Sequence, residues 1–481
     1  MFRTKNLFIS LCILCASVEN ISAQEQPPAP SAPKSVKIPG VTEKKLPNGL
    51  TAAVIERKGV PLVTIQLLVK SGASAEDASK AGLADITASM LTKGTKTRSA
   101  TEIAEAIEFL GGSIGSGAGW NSSFVSVTVT SDKVSQALAI MSDVVLNPKF
   151  DQKELDLLKS QTLDGLTFSL KQPSSLANYV ASKYSFGEHP AGGTPDSVAK
   201  LGRDDIVAFY NANFLPDNAV LVFTGDITPE LSTSMTQKAF GVWKGNFGES
   251  ISEKSAKPPK ERESRGILVI DLPKSGQASV TYAKSLTALG RKNGSYYAAQ
   301  VLNSILGGGY SSRLNYEIRI KRGLSYGAGS SFAWRGAKSN FATRIQTKTV
   351  SAAEVLELVL AEIKKLSDNS VASDELVPRK SVLTGNFGRN LETTGGLAGA
   401  VGDLYAFGIP TAELNAYVSN VNGVTESQIK DFAAHNLMGG DIIIVGDYSD
   451  FKDDLAKRFP NMKVDVIKAA DLDLSKDNLR K

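Results

Sequence analysis

Apolar and polar positions along the chain fall into two similar series. Thr51 to Glu56 and Leu62 to Val69 are rich in aliphatic and β-branched residues and predict strands; Ile267 to Leu272 and Ala278 to Ala283 repeat the pattern later. Val125 to Thr130 alternates apolar with hydroxyl residues, the period-two pattern of a half-buried strand. Val134 to Val145 and Ala352 to Leu366 place apolar residues three and four apart and predict helices with one buried face. Each series closes on a strong apolar strand ending in Gly-Asp, Ala219 to Asp226 and Ile442 to Asp447. The repeated close marks an internal duplication. Strands in meanders with helices between them predict an α+β sheet-and-helix layer in each half.

The segment from Ser255 to Gly266 separates the halves. It is charged, contains Pro258 and Pro259, has no apolar period and reads as a linker. The predicted organisation is then 38–254 for the first domain, 255–266 for the linker and 267–481 for the second.

The start of the chain reads as a secretory signal. Arg3 and Lys5 precede a short apolar run from Leu7 to Val18, and Ile21-Ser22-Ala23 ends in a small residue. Cleavage is expected after Ala23, giving a signal peptide over 1–23 and a Pro-rich linker over 24–37. The expected location is the periplasm or the extracellular space. Cys12 and Cys15 are the only cysteines of the chain and lie inside this signal, so the mature chain needs no disulfide and offers no thiol for catalysis. The residues before Cys15 lack the small residue of a lipoprotein site.

With 481 residues and a net charge of +5, the chain has no long basic run, and nucleic acid is not an expected partner. No other apolar stretch is long enough to span a bilayer, so no membrane contact is expected after signal cleavage. His189 and His435 are the only histidines and lie in different halves, without a ligand partner at metal spacing. No Gly-x-Ser-x-Gly elbow supports serine catalysis.

The stretch Gly82-Leu83-Ala84-Asp85-Ile86-Thr87-Ala88-Ser89-Met90-Leu91-Thr92-Lys93-Gly94-Thr95 resembles the helix that carries the inverted zinc motif, His-x-x-Glu-His, in the pitrilysin/insulinase family of metallopeptidases. The flanks are kept and the chemistry is not. Asp85 and Ser89 stand at the places of the two histidines, and Ala88 at that of the glutamate base. Asp164 falls at or near the place of the family's third ligand, a glutamate on a later helix. Two imidazoles four residues apart on a helix grip one zinc ion, and the glutamate takes a proton from the attacking water. A carboxylate, a methyl and a hydroxyl do neither.

A second stretch, Ile305-Leu306-Gly307-Gly308-Gly309-Tyr310-Ser311-Ser312-Arg313-Leu314 followed by Glu317 to Tyr326, resembles the family's C-terminal signature. There an arginine and a tyrosine seven residues on face the zinc, and Arg319 and Tyr326 match that spacing. A tyrosine hydroxyl donates to an oxyanion, and arginine presents a fork of donors to a carbonyl or carboxylate. From their spacing alone, a solvated arginine and a core tyrosine remain the plain alternative. Arg313 reads as structural. Gly308 and Gly309 provide a tight turn or a close approach of substrate backbone. Gly115, Ser116 and Gly117 lie in a Gly-rich segment that matches the family's substrate-pairing edge strand; a flexible hairpin is the other reading.

The resemblance covers about Ile38 to Phe459. It implies two homologous domains, each a mostly antiparallel sheet with helices on one face. It also implies a role. Some family members are split peptidases, in which one chain holds zinc and the other holds the Arg/Tyr pair. The expectation is the second kind: no cofactor in this chain, zinc in a homologous partner subunit, and short unfolded peptides as substrate. A stand-alone peptide-binding scaffold is the alternative, and a metallopeptidase with an altered site is a third.

Overall fold

The structure, a computed structural model, describes residues 38–245 and 266–481. The expected signal peptide, the Pro-rich linker and the linker stretch 255–265 lie outside the described residues.

Two six-stranded sheets carry the fold. The first runs β1-β2-β6-β3-β5-β4, built from β1 (Thr42–Lys45), β2 (Thr51–Glu56), β3 (Leu62–Val69), β4 (Ser113–Ala118), β5 (Ser123–Thr130) and β6 (Ala219–Gly225). The second runs β12-β7-β11-β8-β10-β9, from β7 (Ile267–Asp271), β8 (Gln277–Leu286), β9 (Ser325–Trp334), β10 (Ser339–Lys348), β11 (Asp441–Gly446) and β12 (Val464–Lys468). β2, β6, β3, β5 and β4 take the same places as β7, β11, β8, β10 and β9, so the duplication read from the Gly-Asp closes extends to topology. Pairing is antiparallel except for β2 with β6 and for β7 with β11 and β12. The fold is α+β, with mixed, mostly antiparallel sheets.

Burial follows the sequence pattern. All seven residues of β6 are buried, and β11 is buried from Ile442 to Gly446, because both faces of these central strands are covered. In β5 only Val125, Val127 and Val129 enter the core, while the intervening hydroxyl residues look away from it. The helices used below are α1 (Leu83–Leu91), α2 (Val134–Leu146), α3 (Gln152–Ser169), α4 (Pro173–Tyr184), α5 (Tyr296–Leu306), α6 (Ala352–Asp368), α7 (Ser373–Glu392) and α8 (Thr394–Phe407). α1 and α2 pack on one face of the first sheet around Ile65, Leu67 and Val127. α5 and α6 do the same on the second around Val280 and Ile345.

The opposite face of each sheet is covered by a helix from the other half. α4 sets Leu176, Ala177, Val180 and Ala181 against Leu268, Ile270, Ile443 and Val445 of the second sheet. α8 sets Leu397, Ala398, Val401 and Leu404 against Ala53, Ile55, Val220 and Val222 of the first. Polar contacts fix the exchange: Thr224 Oγ1 donates to the Thr394 carbonyl at 2.7 Å, and Arg344 Nε to Asn178 Oδ1 at 3.0 Å. Buried Glu188 accepts from Arg335 at 3.2 Å and from Lys338 at 3.0 Å. Residues Ile38 to Lys481 form one compact unit. Among the described residues no helix is long and apolar enough to cross a membrane.

Candidate functional site

In the second half, α5 ends in the glycine turn. A Cβ on Gly307 would lie 2.3 Å from Ser330 N, and one on Gly308 would lie 2.9 Å from the Asn303 carbonyl, so the turn sits hard against β9 and its own helix. Gly309 has open space around it, and its carbonyl accepts from Ser312 Oγ at 2.6 Å. Arg313 holds both carboxylate oxygens of Glu375 on α7, at 2.9 and 2.7 Å, which is an anchoring role. Asn315 ties the turn to the sheet: its Nδ2 donates to the Tyr310 carbonyl, and its Oδ1 accepts from Ala328 N at 3.3 Å.

From Asn315 to Ile320 the chain forms a π-helical turn, with Lys321 N–H donating to the Tyr316 carbonyl five residues back at 2.8 Å. Such turns are rare and recur at functional sites. This one presents Arg319. Its guanidinium carbon lies 4.6 Å from the centre of the Tyr326 ring and 5.1 Å from that of Tyr310. Tyr326 is on β9, the outermost strand, at a bulge: Ser325 pairs with Thr347 and Ala328 with Ile345, leaving Tyr326 and Gly327 opposite Gln346. Bulges re-aim side chains. Tyr326 is 89% exposed and Tyr310 67%. The structure therefore brings Arg319 and Tyr326 together at the surface. Sequence reasoning does not single out Tyr310. Its place inside the glycine turn is the signal that could have done so.

In the first half, α1 carries the motif-like residues. Its N-terminus is held by Glu76, whose carboxylate accepts from Gly82 N at 2.9 Å and Ala84 N at 2.6 Å. His189 Nε2 completes this cap, 3.0 Å from Glu76 Oε1 and 3.1 Å from the Ala73 carbonyl, with Trp120 stacked 5.0 Å from its ring. His189 is thus a structural histidine, and His435 is exposed near the Asp431 carbonyl. Glu76 is a residue that sequence reasoning misses, because a cap six residues ahead of a helix leaves no spacing signature.

Asp85 is half-buried. Burial pushes its carboxyl above the usual aspartate range, and the Ala118 N–H, 3.5 Å from Oδ1, pulls it partly back. Ala88 is fully buried, Ser89 is half-buried, and Asp164 is exposed on α3. Gly115, Ser116 and Gly117 lie on β4, which is the edge strand of the first sheet. α1 runs along this strand: Asp85 meets Ala118, and Thr92 Oγ1 lies 3.5 Å from Ser116 Oγ.

The family chemistry calls for zinc, and the donor set here does not fit it. Asp85 offers one carboxylate already engaged by an amide, Ala88 offers nothing and Ser89 offers a neutral hydroxyl. Among the described residues no three His, Cys, Asp or Glu side chains converge as a metal-binding group.

Comparison with known proteins gives the same family. A profile described as insulinase (peptidase family M16) matches residues 52–180, and one described as the peptidase M16 inactive domain matches residues 200–381. An uncharacterized zinc protease of Mycobacterium leprae is 27% identical over 339 residues, covering 69% of this chain and 75% of that protein. One from Rickettsia bellii is 27% identical over 394 residues, covering 78% and 91%. The crystal structure of a peptidase M16 inactive domain from Pseudomonas fluorescens superposes with a TM-score of 0.76 at 25% identity, covering 85% of this chain and 98% of that one. A protease structure from Helicobacter pylori, at 19% identity and TM-score 0.78, covers 85% of this chain and all of that one and shares the fold. With the two sheets, the remnant of the zinc helix and the arginine–tyrosine turn in the order this family has them, the chain belongs to the insulinase family of peptidases, peptidase family M16.

Proposed function

We propose that this chain is the non-catalytic subunit of an exported heterodimeric zinc peptidase and lends Arg319 and Tyr326 to the site of a zinc-bearing homologous partner. One observation carries the reading. Arg319 and Tyr326 sit together and exposed on a rigid turn, while the chain's own Asp85, Ala88 and Ser89 cannot hold zinc. A site that is half kept and half dismantled fits a division of labour between two chains.

The chemistry follows from the donors. Zinc, when bound by the partner, supplies the activated water. Tyr326 donates its hydroxyl hydrogen to the oxyanion formed from the scissile carbonyl. Arg319 presents its planar fork to a neighbouring carbonyl or a carboxylate of the peptide, and the Tyr310 ring restricts where that fork points. Neither residue takes a proton from water, so the chain alone has no route to hydrolysis.

The test is a peptidase assay on each purified chain and on their mixture, using as partner a homologous chain that keeps His-x-x-Glu-His. This chain alone should be silent and the mixture active. Chelator-sensitive cleavage by this chain alone would overturn the reading.

A further inference from the structure

The geometry points to β4 as the seat of an extended peptide that runs antiparallel to it, with its free amino terminus bound by Asp85. This deepens the peptide-handling role proposed above and rests on it. It places a second contact with peptide at the dismantled motif, apart from the residues lent to the partner.

β4 has a neighbouring strand on one side only. Gly119 N–H donates to the Ser122 carbonyl at 2.8 Å, which fixes the phase of the hairpin. Backbone groups alternate in direction along a strand. Gly115 and Gly117 therefore bond to β5, and Ile114, Ser116 and Ala118 direct theirs at the free edge. Nothing obstructs approach at Gly115, where an added Cβ would meet no atom within 4 Å. An incoming strand has room and has partners at Ile114 and Ser116.

Asp85 decides where that strand stops and which end stops there. It already holds the Ala118 N–H, so pairing beyond Ser116 meets a carboxylate instead of an open amide. That bond is long, at 3.5 Å, and Asp85 has no cationic partner among the described residues. A half-buried carboxylate without a counter-charge favours a cation beside it. β4 runs from Ser113 to Ala118, so Asp85 sits at its C-terminal end. A strand added antiparallel has its first residue there and delivers an α-ammonium. A parallel strand would deliver a carboxylate, which Asp85 repels. Ser89 and Thr92, one and two turns further along α1, continue the polar seam beside β4.

The experiment is fluorescence anisotropy at pH 7 with the purified chain. The probe is a decapeptide of valine, threonine and serine, labelled at its C-terminus and free of lysine and arginine, with either a free or an acetylated N-terminus. The free α-amine is mostly protonated at this pH. Acetylation should weaken binding by about ten-fold or more, as for loss of a hydrogen bond to a charged group. In Asp85→Asn, which keeps the shape and an acceptor for Ala118, the two forms should bind alike. Equal binding of both forms to the unaltered chain, or a difference that survives in Asp85→Asn, overturns the assignment to Asp85. If neither form binds, the peptide-pairing edge itself falls and this inference falls with it.

Discussion

Asp85 gives up stability in the position it holds. Its carboxyl is desolvated against β4, and no neighbouring charge offsets that burial. The folded state therefore holds the proton more tightly than the unfolded chain does. By linkage, the stability lost to Asp85 is nil below the ordinary aspartate value, grows as pH rises through the raised folded value, and is fully present at neutral pH. Asp85→Asn should raise the thermal midpoint at pH 7, and the gain should shrink steadily as pH falls toward 4. A series of melts checks this, and a gain that is the same at every pH would show that Asp85 is not desolvated as described. The spacing of Arg319 and Tyr326 could be read from the sequence, because seven residues across a turn and into a strand put both at one place. The stacking of Arg319 over Tyr310 could not, since it depends on a π-helical turn that no residue pattern announces.

At the scale of elements, α8 is the instructive case. Thr393 caps it by accepting from Gly396 N at 3.0 Å, and its apolar residues follow at once. Sequence periodicity can say that such a helix buries a face, but it cannot say against which sheet. The answer here is the sheet of the other half, and α4 returns the exchange. Leu397 is 2% exposed at the centre of that contact. Leu397→Ala should cost about 2–5 kcal/mol by leaving a cavity under the sheet, as judged from chemical denaturation. A cost below 1 kcal/mol would mean that α8 does not bear on the first sheet as firmly as its burial indicates. The edge strand β4 was more legible: glycines and serines at 113–117 left it thin and accessible, and the sheet order places it outermost.

At the scale of the molecule, the two halves are copies that do not stand alone. Residues 38–245 expressed by themselves would leave Ala53, Ile55, Val220 and Val222 bare, because their cover lies beyond residue 390. That fragment should bind a hydrophobic dye and lack a cooperative melt, whereas the full chain should melt as one unit; a fragment melting at the full chain's midpoint would contradict the exchange. Duplication was visible in the paired Gly-Asp closes, since a central strand buried on both faces must be continuously apolar. The shared topology of the sheets follows the same logic on the larger scale. It also leaves each half with its own edge strand, β4 beside the dismantled zinc helix and β9 bearing Tyr326. The most direct test of the account is the kcat of the mixed enzyme, this chain with its zinc-bearing partner, when the chain carries Tyr326→Phe. Loss of one oxyanion donor should lower kcat by about 100-fold or more with co-purification unchanged; an unchanged kcat would contradict a role for Tyr326 in the partner's site.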